Sequence, residues 1–322
     1  MLLAAIVSPA EDRAAADAAR PTVLRSSGRS PSTRSIFGIS WQATPREEAA
    51  VPRAKFATIE DAWRAYLLGT HPNLLLGRRT FGRLPSNPRC KLCSAPFGGA
   101  GGFVLRRFSD GFQPWEKFPK VCRRCLDGMN TMDVSGAEVE TSFLFADVRA
   151  SSELARRLGT MDFTHLMQRF YTVATRILFD HDALLDKFVG DEVVGFFLPV
   201  MAGPDHAGRA VDAARALFAA AGYGTTEGPW IPLGAGVHTG PSFVGFVSRG
   251  PQSEFTALGD TINVAAHLAA DARAGEILLT EAVGASLETE GLERRHLSLK
   301  GHELDALVIA VEERGAAPAV AE

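Results

Sequence analysis

The 322-residue sequence lacks any apolar run long enough to cross a bilayer. Its longest apolar stretches, such as residues 193 to 200, fall far short of the roughly 20 residues that a transmembrane helix needs. Residues 1 to 7 have neither the basic start nor the length of a secretion signal. These absences argue against a membrane partner and predict a soluble, cytoplasmic protein.

The N-terminal segment lacks the composition of a folded domain. Residues 1 to 56 are rich in Ala, Arg, Ser and Pro, and no acidic residue occurs between Ala18 and Arg46. Such a segment buries too little apolar surface to offset its chain entropy, so we predict a disordered basic tail. The remaining chain can hold one full domain and a small module. We expect a short helix with a cysteine module at residues 57 to 130, a larger domain at 138 to 314, and a tail at 315 to 322.

Cysteine is scarce, and the four present lie in one segment. They form two Cys-x-x-Cys pairs separated by 28 residues: Cys90, Cys93, Cys122 and Cys125. Two such pairs with no cysteine left over predict a tetrathiolate metal site. Structural Zn²⁺ is the first expectation, and an iron–sulfur cluster is the alternative. Disulfides or free thiols are less expected, since nothing in the sequence indicates secretion.

Acidic residues are also scarce around these cysteines. Residues 72 to 125 contain eleven Lys or Arg against two Asp or Glu, whereas residues 126 to 322 contain fourteen against twenty-eight. The opposite charges predict that the basic cysteine module docks on the acidic larger domain. Binding of an acidic partner, nucleic acid binding and a plain solvated surface stay open. Nucleic acid is the less expected partner because no aromatic pattern of an RNA-binding sheet accompanies the basic residues.

Two aspartates of the larger domain are placed at the ends of predicted strands. Asp147 follows a short apolar run, and Asp191 lies in a Gly-Asp turn between two apolar runs, which is a hairpin signal. If this hairpin pairs beside the first strand, both carboxylates approach one point. Oxygen ligands of this kind suit Mg²⁺ or Mn²⁺, and the expected substrate is then a phosphate ester.

Strands and long helices interleave along this domain, which predicts an α+β fold with a ferredoxin-like core. We expect Thr58 to cap a short helix, Asp260 to be the N-cap of another helix, and His238 to be a structural histidine. The other expected elements are a strand at 141–147, a helix at 161–180, a hairpin at 184–198, a helix at 205–221, strands near 232–238 and 242–247, a helix at 261–271, a strand at 276–280, and strands near 292–299 and 306–312.

Further motifs follow the two aspartates in a fixed order. They are Gly236-Val-His-Thr-Gly240, the stretch from Phe255 to Leu268 that contains Gly259-Asp260-Thr-Ile-Asn263, Gly275-Glu-Ile-Leu-Leu279, and Leu299-Lys300-Gly301. With these motifs, residues 138 to 314 resemble the catalytic domain of class III adenylate/guanylate cyclases. The resemblance implies the same α+β fold and the conversion of ATP to 3′,5′-cyclic AMP and pyrophosphate in intracellular signalling.

The resemblance also implies a metal centre of two divalent ions per active site, Mg²⁺ or Mn²⁺. Asp147 and Asp191 would be the ligands, and the carbonyl of Val148 could be a further one. One ion would lower the pKa of the ribose 3′-hydroxyl, and the other would neutralise the leaving phosphates.

Four more positions correspond to substrate contacts of the family. The resemblance implies that Lys187 contacts the purine, Asn263 orients the ribose and Lys300 meets the phosphates. Thr256 stands where many members carry a base-reading Asp. Because Thr marks a subgroup of adenylate cyclases, adenine is favoured over guanine.

One position departs from the family, which expects Arg four residues after Asn263. His267 stands there, and it is shorter than Arg and mostly neutral at pH 7. Losing one preorganised donor typically costs roughly 10²- to 10³-fold in rate. A protonated His267 or the nearby Arg273 could take the role, or the domain could be a weak or inactive sensor that binds nucleotide or a partner.

In this family the catalytic pockets form between two subunits. One subunit supplies the metal ligands and the other supplies the base and ribose contacts. Because this chain carries both sets, the resemblance implies a two-fold homodimer.

Overall fold

A computed structural model of the chain describes residues 56–116, 118–130, 136–247, 254–285, 287–299 and 302–311. Within these ranges the chain forms one compact unit. The tails expected at 1–56 and 315–322 lie outside these residues, except for Phe56, and Lys300 lies outside them as well.

The described chain begins with short helices around the cysteines. The first, α1, starts at a capping box: Thr58 Oγ1 accepts the N–H of Asp61, and the Asp61 carboxylate accepts the N–H of Thr58, both at 3.1 Å. The predicted cap is therefore confirmed. The elements here are α1 (Ile59–Leu67), α2 (Pro72–Phe81), α3 (Gly99–Phe108), a single 3₁₀ turn (Asp110–Phe112) and α4 (Arg123–Asn130).

A long strand then opens an alternation of strands and helices. The elements are β1 (Gly136–Val148), α5 (Ser151–Leu158), α6 (Thr160–Asp180), β2 (Leu184–Val189), β3 (Glu192–Phe197), α7 (Pro199–Ala202), α8 (His206–Ala221), β4 (Leu233–Phe246), β5 (Phe255–Leu258), α9 (Asp260–Asp271), β6 (Glu276–Thr280), α10 (Glu281–Gly284), β7 (Glu293–Leu299) and β8 (His302–Ala310).

All of these strands belong to one mixed sheet. Its order is β2-β3-β1-β4-β6-β8-β7, and β5 pairs with β4 off this path. The pairs among β1 to β4 are antiparallel, whereas β4 and β6 run parallel. The succession β1, α6, β2, β3, α8, β4 with the sheet order β2-β3-β1-β4 is ferredoxin-like. The predicted α+β class is confirmed.

Several predicted boundaries were wrong. Two strands were expected where the single strand β4 runs through Gly240 and Pro241. The strand continues through them because β1 pairs with it from Gly136↔Gly245 to Val148↔Leu233. The short elements α5, α7, β5 and α10 were not predicted, because they carry too few residues to show a periodic pattern of apolar side chains. Strand β8 begins earlier than expected.

The prediction that Asp260 is a helix N-cap was also wrong. Gly259 occupies the N-cap position with φ 146° and ψ 171°, and it makes no side-chain cap bond. Glycine adopts this backbone conformation far more readily than any residue with a Cβ. Asp260 is instead the first residue of α9, where its negative charge interacts favourably with the positive end of the helix dipole.

Alternate residues of β1 face two separate cores. Leu144 and Ala146 pack with α6 and α8 on one face of the sheet. Phe143 and Phe145 pack on the other face with α9, α1 and the cysteine segment. Helix α9 approaches the sheet so closely that a Cβ on Gly236 would lie 2.4 Å from the amide nitrogen of Ala269. The sheet is thus the middle layer of the molecule.

The cysteine module, residues 57 to 130, lies directly on this second face. Lys91 and Lys120 donate to the two carboxylate oxygens of Asp182, at 2.8 and 2.7 Å. The side chain of Asp182 is only 6 % exposed, and the rings of Phe118 and Phe255 also pack against each other across this interface. Opposite charges therefore meet in this interface, as the charge asymmetry predicts.

Candidate active site and tetrathiolate cluster

Asp147 and Asp191 lie at the same end of two paired strands of the sheet, β1 and β3. Asp147 is near the end of β1 directly opposite Glu192, the first residue of β3, and Asp191 is in the turn before that strand. The backbone N–H of Val148 donates to the carbonyl of Asp191 at 3.3 Å. The prediction that the hairpin pairs beside the first strand is confirmed, and it brings the two aspartates to one edge.

The hairpin turn is fixed to helix α6. Gly190 has φ +63°, a left-handed conformation that glycine adopts without a steric penalty. The hydroxyl of Tyr171 on α6 donates to the carbonyl of Gly190, and its ring packs 4.4 Å from that of Phe188. Burial and the charge of Asp191 raise the pKa of Tyr171, so the donor keeps its proton. The turn that carries Asp191 is therefore held in place by the main body of the domain.

Glu192 and Arg149 complete this edge, although sequence reasoning had not singled them out. Arg149 ion-pairs with Asp147 and donates to the carbonyl oxygens of Ala270 and Ala272, at 2.9 and 3.2 Å. Burial, together with the charge of Asp191, raises the pKa of Glu192 to about 7 against the opposing effect of Arg149. Its position next to Asp191 in the sequence was the one signal that could have identified Glu192. The carboxylates of Asp147 and Asp191 are hard oxygen donors of the kind that suits a divalent cation.

A second group gathers Lys187 and Thr256 around Asp186. The Thr256 hydroxyl donates to Asp186 Oδ1 at 2.6 Å, and Lys187 Nζ lies 3.3 Å from Asp186 Oδ2. Asp186 is placed where the β2–β3 register shifts between Leu185 and Lys187. The fold thus brings together two residues that are distant in sequence, through an aspartate that the sequence analysis had not named.

Helix α9 carries the third group. Asn263 is exposed and His267 is half-buried, and the two lie four residues apart on this helix, so they share one face. Arg273 does not join them: its side chain is 76 % exposed and lies 3.9 Å from Glu276. In this single chain, Arg273 therefore does not take the place of the arginine absent at position 267.

His238 has the surroundings expected of a structural residue. It follows Val237 on β4, and its Nδ1 lies 2.7 Å from the hydroxyl of Thr280 on β6. This bond joins neighbouring strands of the sheet, so it supports the predicted role.

The four cysteines form one buried cluster. The Sγ atoms of Cys90, Cys93, Cys122 and Cys125 all lie within 4.8 Å of one another, and none is in a disulfide. The backbone N–H of Cys122 also donates to Cys90 Sγ at 3.3 Å. Burial and the electrostatic effect of the four cysteines raise the pKa of the neighbouring Tyr66. Four converging sulfur atoms in a buried site suit a tetrahedral metal ion or a cluster.

These observations define a nucleotide-cyclase type of domain, and comparison with known proteins identifies the family. Residues 135–309 match the family model of the adenylate and guanylate cyclase catalytic domain. The chain belongs to this family.

Individual relatives match over the same part of the chain. An uncharacterized protein of Mycobacterium tuberculosis (strain ATCC 25618 / H37Rv) is 30% identical over 176 residues, which cover 53% of this chain and 32% of the relative. A second uncharacterized protein, of Mycobacterium bovis, is 28% identical over 180 residues, covering 53% and 32%. The matched region thus spans about a third of the length of these relatives.

Two solved structures are each similar to a little more than half of the chain. The adenylyl cyclase CyaB from P. aeruginosa aligns with a TM-score of 0.47 and 23% identity, covering 56% of this chain and 98% of that chain. The guanylate cyclase domain of RhGC from Catenaria anguillulae, in complex with GTP, aligns with a TM-score of 0.46 and 19% identity, covering 55% and 99%.

Among the helices of the described ranges, none is long and apolar enough to span a membrane.

Proposed function

We propose that this protein is an adenylate cyclase that converts ATP to 3′,5′-cyclic AMP and pyrophosphate. The observation that carries the proposal is the pairing of β3 with β1, which brings Asp147 and Asp191 to one edge of the sheet. Thr256 at the base-reading position favours ATP over GTP. Residues 138 to 314 form the catalytic domain in this proposal, and residues 57 to 130 form the cysteine module.

Each group of residues has one task. Asp147 and Asp191 hold Mg²⁺ or Mn²⁺, with the Val148 carbonyl as a further ligand, and the bound ions supply activation of the 3′-hydroxyl and neutralisation of the phosphates. Lys187 donates to the base, and Asn263 orients the ribose. His267 faces the phosphates from the same helix face as Asn263, and Lys300 adds a further positive charge there.

A two-fold homodimer is the proposed active form. The chain carries the carboxylate edge as well as the base and ribose residues, so one self-complementary interface would complete two equivalent sites. Lys187, with its side chain 49 % exposed, and the exposed Asn263 are accessible to a partner subunit.

The experiment that tests this function is cyclic nucleotide production by the full chain, supplied with ATP or GTP in Mn²⁺. We expect cyclic AMP from wild type and a loss of at least roughly 10²-fold with Asp147→Asn or Asp191→Asn, since each change removes a charged oxygen ligand. Asp212→Asn is the matched control, because Asp212 is exposed on α8, across the sheet from Asp147. Equal activity in all four proteins would rule out the proposed site.

A second candidate function is nucleotide binding without turnover. Two observations favour it: Arg149 pairs with Asp147, and the residue that stands in the family's arginine position is a half-buried histidine. On this alternative the domain acts as a nucleotide or partner sensor. Binding of ATP without product, together with product formation by His267→Arg, would establish it. Formation of cyclic AMP by the wild type would overturn it.

For the cysteine cluster we propose structural Zn²⁺, held by Cys90, Cys93, Cys122 and Cys125. The buried convergence of the four sulfur atoms supports a closed four-coordinate site. Elemental analysis of the purified protein tests this directly. Iron together with acid-labile sulfide would assign an iron–sulfur cluster in its place.

A further inference from the structure

Asp186 joins the two residues that stand at the base-reading positions. Its Oδ1 accepts the hydroxyl hydrogen of Thr256 at 2.6 Å, and its Oδ2 lies 3.3 Å from Lys187 Nζ. Thr256 is 70 residues away in sequence and lies on β5, whereas Asp186 and Lys187 lie on β2. One carboxylate therefore links two strands and two side chains of the base site.

Burial makes the bond between Thr256 and Asp186 hard to replace. Thr256 is 4 % exposed, and the side chain of Asp186 is 9 % exposed. Water has little access to either group, so breaking their bond would leave the buried hydroxyl without its acceptor. Lys187 differs, because half of its side chain is exposed and free to meet a ligand.

This arrangement fixes the hydrogen-bonding polarity of the base site. A threonine hydroxyl has one hydrogen and two lone pairs, and here the hydrogen is committed to Asp186. Thr256 can then only accept a further bond, while the ammonium of Lys187 can only donate. A donor beside an acceptor matches the edge of adenine, where N1 accepts and the N6 amino group donates. Guanine reverses both roles, since its N1–H donates and its O6 accepts.

We propose that Asp186 is a positioning residue that sets the base specificity of this site. It holds Lys187 in one place and prevents the Thr256 hydroxyl from donating to guanine O6. Without the carboxylate, the hydroxyl would turn freely and the flexible lysine would reach either N1 of adenine or O6 of guanine. The inference rests on the proposed adenylate cyclase function, because it concerns the nucleotide site of that reaction.

The test compares the binding of α,β-methylene analogues of ATP and GTP, which cannot be cyclised, to the full chain. Wild type should prefer the ATP analogue. Asp186→Ala should lower the ratio of the two affinities by roughly ten- to a hundredfold, the range for a hydrogen bond to a charged group. Asp186→Glu should restore part of the preference. The control is Asp180→Ala, which removes an exposed carboxylate from the end of α6 and should leave the ratio unchanged.

A purely structural role of Asp186 would weaken both analogues by the same factor, and that result would overturn the proposal. If Asp186→Ala does not fold, Asp186→Leu and Thr256→Val provide the same comparison. Thr256→Val should reduce the preference for the ATP analogue, because no hydroxyl is left to accept from the N6 amino group. An unchanged ratio in both variants would overturn the proposal too.

Failure of the proposed function gives a different result. A wild type that prefers the ATP analogue, loses that preference in Asp186→Ala and forms no cyclic AMP from ATP would refute the cyclase activity and retain the role of Asp186. If the wild type forms cyclic AMP and the Asp186→Ala variant keeps the preference for the ATP analogue, the cyclase activity is retained and the role of Asp186 is refuted. Binding of neither analogue by wild type would refute both.

Discussion

The two faces of the sheet are closed by different parts of the chain. Helices α6 and α8 cover one face, and the alanines of α8 that contact it are fully buried: Ala210, Ala213 and Ala214. On the other face, aromatic side chains reach from the sheet to the cysteine module, among them Phe143, Phe196, Phe255, Phe118 and Trp63.

This difference shows which segments depend on each other. The first face is complete within the segment that matches the cyclase family, because small alanines allow a helix to pack close to the strands. The second face is completed by residues upstream of that segment. If it were alone, the family segment would expose a contiguous apolar patch of the kind that soluble domains usually cover. The module is therefore part of the core of this protein.

The largest expected effect comes from disrupting the cysteine cluster. If the cysteine cluster holds the proposed Zn²⁺, removing it with a chelator, or changing Cys122 to Ser, should unfold the module, because structural Zn²⁺ in zinc-finger peptides contributes roughly 10–16 kcal/mol of apparent binding free energy. Hydrogen exchange measured by mass spectrometry should show lost protection in α1 and α4, while α6 and α8 keep theirs. Equal loss in all four helices would show that the two faces form one cooperative unit.

An intermediate effect is expected where the module meets the turn between α6 and β2. Asp182→Asn should lower the free energy of unfolding by about 2 kcal/mol, since Lys91 and Lys120 lose a buried charged partner but keep access to water. Asp182 has φ 64°, which asparagine tolerates, so the change isolates the charge. Chemical denaturation at pH 7 measures it, and Asp180→Asn is the exposed control.

The same substitution has a pH dependence of known sign. Burial acts to raise the pKa of Asp182, but hydrogen bonds from Lys120 and Lys91 outweigh it and lower that pKa. Because the pKa of Asp182 is lower in the folded state than in the unfolded chain, the ionised carboxylate stabilises the folded state at pH values above the unfolded pKa of about 3.9. This contribution is lost as the pH falls below that value. The difference between wild type and Asp182→Asn should therefore shrink at acid pH. A difference that stays constant down to pH 3 would contradict the ion pair.

The smallest expected effect lies within the module. His71 caps α2 by accepting the N–H of Asn73 at its Nδ1, at 3.2 Å, and burial lowers its pKa. The unfolded state therefore takes up the proton first, and stability should fall as pH decreases below about 6.5. His71→Asn keeps a cap acceptor without this titration, so its stability should change less between pH 6.5 and 5, by under about 1 kcal/mol after allowance for solvent screening. Parallel pH profiles of the two proteins would exclude His71 as the source.

Local patterns predicted much of the fold. The apolar runs around Gly190, the motif before α9 and the spacing of the cysteines each lie within a short stretch, so the hairpin, the helix and the cluster could be read from the sequence. The contacts that sequence reasoning missed join distant positions: Lys91 and Lys120 with Asp182, and Thr256 with Asp186. Nothing in a local pattern states which lysine meets which aspartate across the chain.

The contact between Phe118 and Phe255 has a consequence for how such proteins can be recombined. Phe118 belongs to the module, and Phe255 immediately precedes Thr256 on β5, with 6.2 Å between the ring centroids. A chimaera that took its cysteine segment from one relative and its catalytic segment from another would need matching rings at this contact and matching charges at Asp182. We therefore expect the two segments to be inherited and exchanged together, as one unit of descent.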